Sequence, residues 1–133
     1  MKRISTSNIT ELKENEIFVF GSNLSGIHGA GAAKTALQWG AEFGKYSGLQ
    51  GRTYAIPTKG QFAKRSLNIE EINGYIREFI EFCKQNSELK FLVTEIGCGL
   101  AGLKPENIAP LFMEAIEVEN IYLPESFYNI LTK

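Results

Sequence analysis

The sequence predicts an α/β layered domain. Hydrophobic runs of strand length alternate with segments of helical period, the pattern of strands covered by helices. Residues 89–97, "LKFLVTEIG", form a nearly continuous apolar run, as a strand buried on both faces requires. Two glycine-rich segments, 21–33 and 97–107, each fall between a strand pattern and a helix pattern. A chain of 133 residues is near the usual size of one hydrophobic core, so residues 1–133 are read as a single domain.

In chain order, residues 7–13 ("SNITELK") open with a brief strand, and "EIFVFG" (16–21) is the first firm one. Residues 29–43 read as a helix with Ala33, Ala36, Leu37 and Gly40 on one face, small enough to lie close to a sheet. "GRTYAIPT" (51–58) is a strand stopped by Pro57. Asn68 and Glu71 have capping-box spacing, and Ile69, Ile72, Ile76, Phe79, Ile80 and Cys83 continue at helical spacing. Residues 105–116 are helical, with Pro110 disturbing the first turn. Residues 118–124 close with a strand, followed by a short helix holding Phe127, Ile130 and Leu131. Residues 44–52 and 60–67 read as mobile loops able to cover a cleft, with Tyr46 or Phe62 available to stack on a base.

Composition narrows the function classes. A net charge of −1, with Lys and Arg scattered, gives no basic face for a long nucleic acid. No apolar run approaches the roughly 20 residues of a membrane helix. The first ten residues lack the apolar core of a signal peptide, so a cytoplasmic location is expected. Cys83 falls on a helix stripe and reads as core; Cys98 lies between Gly97 and Gly99. Neither suggests a disulfide framework, and no metal site or cofactor is expected.

The two glycine segments carry the chemistry. In an open α/β sheet, ligands bind beyond the carboxyl ends of the strands. Helix N-termini there present unpaired N–H groups that favour anions, and glycine lets a ligand approach the backbone. Two such loops side by side suit a phosphate or pyrophosphate without needing many basic side chains. Neither segment is GxGxxG or GxxxxGK[ST], and "GCG" lacks CxxC spacing.

Taken together, "IGCGLAGLKPENI" (96–108), "GAGAA" (29–33), "YAIPTK" (54–59) and "SNITELKENEIFVFGSN" (7–23) resemble the macrodomain family. The likeness is greatest to the terminal ADP-ribose protein glycohydrolase branch, with its IGCGL-x-x-L-x-x-E-N-V, GAGIA and YLITK segments. The matches are patchy but collinear over almost the whole chain. The resemblance implies a three-layer α/β/α fold with a mostly parallel, mixed central sheet. It also implies binding of ADP-ribose or a related adenine nucleotide, possession of which by a modified protein would make that protein a partner.

Position by position, Asn8, beside Ile9, stands where macrodomains carry an Asp that accepts from the adenine amino group. Asn23 matches the last Asn of the family's NAAN motif, near the distal ribose, with Ser22 beside it a further ligand-binding candidate; the first Asn of that motif is Phe20 here. Gly29, Ala30, Gly31 and Ala32 correspond to the first phosphate loop. Gly97, Cys98, Gly99, Leu100, Ala101, Gly102 and Leu103 correspond to the second, with Cys98 turned into the fold. Lys59 matches the branch's catalytic Lys, whereas its assisting Asp is replaced by Ala101, which has no proton to transfer. His28, the sole histidine, precedes "GAG" at the mouth of the inferred cleft and is a candidate acid or base.

Three functions follow as expectations. The leading one is binding of ADP-ribose or a related adenine nucleotide. The alternatives are hydrolysis of ADP-ribose from proteins or of an ADP-ribose derivative, and sequestration of a cyclic ADP-ribose-type signal.

Overall fold

Residues 16–23 alternate cleanly. Ile17 and Val19 enter one apolar cluster, whereas Phe18 and Phe20 enter another. Successive side chains of a strand point to opposite faces, so this strand carries core on both sides. The computed structural model describes residues 2–60, 66–98 and 102–133. Among these, the strands are β1 (Ile4–Ser5), β2 (Glu16–Asn23), β3 (Gly48–Gln50), β4 (Thr53–Lys59), β5 (Lys90–Val93) and β6 (Ile121–Pro124). The α-helices are α1 (Gly31–Ala36), α2 (Ile69–Lys84), α3 (Pro105–Ile108) and α4 (Glu125–Leu131). Single 3-10 segments follow α1 at Leu37–Trp39 and α3 at Ala109–Glu117.

The strands form one sheet in the order β1-β6-β5-β2-β4-β3. Every neighbouring pair is parallel except β3 with β4. The fold is therefore three-layer α/β/α around a mostly parallel, mixed sheet, as expected from the sequence. The larger core packs α2, α3 and α4 on one face, through Phe79, Ile108, Phe112 and Phe127. The smaller core seats α1 on the other, where Ala33 and Ala36 meet Phe18, Phe20 and Ala55. Small residues on α1 permit that close seat.

Helix α2 follows its sequence signals closely. The Glu71 amide donates to Asn68 Oδ1 at 2.8 Å, and the Asn68 amide to Glu71 Oε1 at 3.1 Å. Ile72, Ile76, Phe79, Ile80 and Cys83 are buried, each apolar side chain contributing roughly 1.5–3 kcal/mol. Ile69, expected on that stripe, is exposed instead. Past its far end, Asn120 Nδ2 reaches the Cys83, Asn86 and Leu89 carbonyls, which ties the turn after α2 to the start of β6. Arg3 donates to the Ile116, Val118 and Ile121 carbonyls, tying the start of the chain to the segment that leads into β6.

Several boundaries differ from expectation. The first strand is Ile4–Ser5, not within residues 7–13, because it pairs with β6 from the far end of the chain. The helix expected over 29–43 ends as α1 at Ala36 and tightens to a 3-10 turn, which Gly40 terminates at φ +109°. Strand β4 runs through Pro57 to Lys59. Pairing with β3 ends at Ala55, so Pro57 has a sheet neighbour only on the β2 side and its missing N–H interrupts no ladder there. Strand β5 stops at Val93, where the Thr94 amide and hydroxyl both donate to the Val19 carbonyl. Beyond α3, Pro110 has no N–H to extend the α ladder, and the chain continues as 3-10.

Residues 44–52 are not a free loop. They contain β3, and side chains hold the segment from several directions. Ser22 Oγ donates to the Tyr46 carbonyl at 2.6 Å, and Gln50 bonds both the Glu42 amide and the Lys45 carbonyl. The Gly44 amide donates to the Gly26 carbonyl at 2.9 Å. Residues 61–65, including Phe62, lie outside the described residues. Among the described residues, no helix is long and apolar enough to cross a membrane.

Candidate functional site

Because β2, β4 and β5 are parallel, their carboxyl ends open on one edge of the sheet. A cavity of about 600 Å³ lies there. Gly21, Ser22 and Asn23 from the end of β2 line it, with Thr58 and Lys59 from the end of β4. The segment Gly29, Ala30, Gly31, Ala32 and Ala33 forms a further wall, and Thr94 to Cys98 another. Both glycine-rich segments thus face a single space. They come close: a Cβ on Gly21 would stand 3.4 Å from the Gly97 amide nitrogen and 3.2 Å from Thr58 Oγ1. Gly97 itself turns at φ +76°, a conformation that side-chain-bearing residues rarely adopt.

The first wall presents backbone donors. Ala30 is the N-cap of α1 and provides no side-chain acceptor for the first turn. The Gly31, Ala32 and Ala33 amides head the helix, where no preceding turn supplies carbonyls to them. α1 has only six residues, so these local N–H groups matter more than any helix dipole. Lys59 is the sole cationic side chain among the described lining residues. Its carbonyl accepts from the Leu24 amide, which ties the end of β4 to the loop after β2.

Asn23 shapes that loop. Its Oδ1 accepts from Ser25 Oγ at 2.8 Å and the Ile27 amide at 3.1 Å, and its Nδ2 donates to the Ile27 carbonyl at 2.8 Å. One amide hydrogen is left for a ligand. Ser22 likewise lines the cavity while its hydroxyl is committed to Tyr46.

His28 is a correction to the sequence reading. Its ring is fully buried, edge-on to Phe20 at 5.3 Å between centroids and tilted against Phe43 at 5.8 Å. Nε2 donates to the Glu42 carbonyl at 2.9 Å, and Nδ1 is buried with no hydrogen-bond partner among the described residues. The neighbouring Ile27 and Gly29 reach the cavity; His28 points the other way, into the packing beneath residues 42–50. It holds that segment in place.

Cys98 is half-buried, and Sγ donates weakly to the Ile96 carbonyl. Burial pushes its thiol up to about 11, with Glu95 and Glu106 adding to the rise. It is a poor nucleophile at neutral pH, in line with a side chain turned into the fold. Gly99, Leu100 and Ala101 lie outside the described residues. Leu103 packs against the larger core, and its amide donates to the Gly97 carbonyl at 2.8 Å. Gly102 turns at φ +78° with open space around it; neither it nor Leu103 is in the described lining.

Asn8 and Ile9 line a second cavity of about 660 Å³ between β1, β5, β6 and α1. Ala32, Thr94 and Glu95 line both cavities, so the two are parts of one groove. Tyr46 lines a separate hollow with Leu49 and Tyr75, away from this groove. Thr58, Thr94, Glu95 and Ser126 were missed in the sequence reading. The signal for the first three was present, since each ends or directly follows a strand at its carboxyl end, the edge where open α/β sheets take ligands. Among the described residues, no group of three or more His, Cys, Asp or Glu is placed to hold a metal ion. No protein-family model, curated protein or solved structure matches the chain.

Proposed function

We propose that this chain binds ADP-ribose or a related adenine nucleotide derivative, with phosphates against the two glycine-rich segments. The observation that carries the reading is one cavity lined by both segments at the carboxyl ends of parallel strands. Its size is within the range of small-molecule sites. Backbone N–H groups at Gly31 to Ala33 and the Lys59 ammonium favour an anion there. The adjoining cavity with Asn8 and Ile9 offers room for the base and its ribose, in the order that the macrodomain resemblance implies. Calorimetry with ADP-ribose tests the reading. Saturable heat is expected, and no heat at millimolar ligand with folded protein overturns it.

A second reading, hydrolysis of an ADP-ribose linkage, is favoured by one observation: Lys59 lines the cavity beside Asn23 and Thr58. His28 is no part of it, because its ring is buried away from that space. Ala101 brings no acid in place of the branch's Asp. With ADP-ribosylated protein as substrate, Lys59→Ala is expected to abolish whatever turnover the wild type shows. Turnover unchanged in Lys59→Ala removes this residue as the catalyst.

A further inference from the structure

The two cavities differ in charge. The first has Lys59 and the backbone donors of α1; among the described residues, no Lys, Arg or His lines the second. Glu95 and Glu125 line the second instead, with Asn8, Ile9, Phe18 and Ser126. Glu95 alone of the acidic residues lines both, at their junction with Ala32 and Thr94. Its carboxylate is not loose: Ser126 Oγ at the start of α4 donates to Glu95 Oε2, tying the end of β5 to α4. The second Glu95 oxygen remains an acceptor.

Resting on the ADP-ribose reading above, we propose that Glu95 is a specificity-determining residue that accepts a hydrogen bond from the hydroxyl pair of the nucleoside ribose and rejects a phosphate there. A carboxylate can only accept, so a sugar hydroxyl is matched by it and a phosphate dianion is not. Glu125, on the same cavity, adds repulsion of the same sign. The groove is polarised: it takes phosphate at the glycine segments and a donor-bearing, unphosphorylated sugar at the Glu95 end. Ligands carrying a 2′-phosphate on the adenosine ribose are therefore bound more weakly.

The test is calorimetry with ADP-ribose and with ADP-ribose 2′-phosphate, on wild type and Glu95→Gln, at low and raised salt. Glu95 is solvent-exposed and glutamine has its shape, so matching melting temperatures verify that the variant is folded. Wild type is expected to prefer ADP-ribose by about tenfold or more, from repulsion between like charges. Glu95→Gln narrows that ratio, and raised salt narrows it in the wild type, because exposed charges are screened. Equal wild-type affinities, or a ratio unchanged by Glu95→Gln, overturn the inference and leave the ADP-ribose reading standing. Binding of neither ligand overturns both.

Discussion

At the scale of single residues, Gly26 and Gly29 look alike in the sequence and serve different ends. Gly26 turns at φ +69°, and a Cβ there would stand 2.6 Å from the Gly44 carbonyl carbon. Its bareness admits the chain's own backbone. Gly29 lines the cavity, and its Cβ would meet nothing nearer than Ile27 Cγ2 at 3.9 Å. Gly26→Ala is expected to cost at least about 1–2 kcal/mol in urea unfolding, from the left-handed backbone alone. Gly29→Ala is expected to stay within about 0.5 kcal/mol of wild type while weakening ADP-ribose binding. Equal losses of stability would contradict this assignment. The sequence showed that glycines cluster here, but not which faces Gly44, because that contact depends on how residues 42–50 fold back. His28 misled for the same reason: its neighbours in sequence line the cavity, while its ring answers to Phe20, Phe43 and Glu42.

At the scale of elements, legibility followed the range of the determining interactions. The α2 helix was readable because its cap, its stripe and its propensity are local; β2 was readable from strict alternation. Asn68→Ala is expected to lower stability by about 1 kcal/mol, measured by the urea midpoint, since the Glu71 amide loses its side-chain acceptor. An unchanged midpoint would mean that water replaces the cap at no cost. Strand β3 was hidden because three residues among glycines carry little pattern; pairing with β4 and the bonds from Ser22 and Gln50 define it. The α1 helix was overestimated because Gly40, whose added Cβ would lie 2.9 Å from the Gly51 Cα, stops it through a tertiary contact.

At the scale of the whole molecule, the sheet draws separate segments of chain to one edge. The glycine segments were legible as a pair, whereas Glu95 and Ser126 were not, since their meeting requires β5 and α4 to be adjacent. The packed layers also set the alkaline limit of stability. Burial pushes Tyr54 up to about 12, with Cys83 and Glu78 adding to it. Burial also raises the Cys83 thiol, and pushes Cys98 up to about 11, above the ordinary range of a thiol. Each group is raised in the folded state, so unfolded chain releases its protons first. Stability from these groups is intact below pH 9 and falls as pH rises from there through about 12. The urea midpoint is expected to drop across that window, less steeply in Cys98→Ala; a flat midpoint would contradict the burial argument.

The central claim is that two glycine segments, far apart in the chain, serve one ligand. Amide chemical shifts during titration with ADP-ribose test it most directly. The amides of Gly29 to Ala33 and of Gly97 and Cys98 are expected to move together, saturating with one Kd. Shifts confined to one segment, different Kd values for the two, or no shifts at saturating ligand would contradict it.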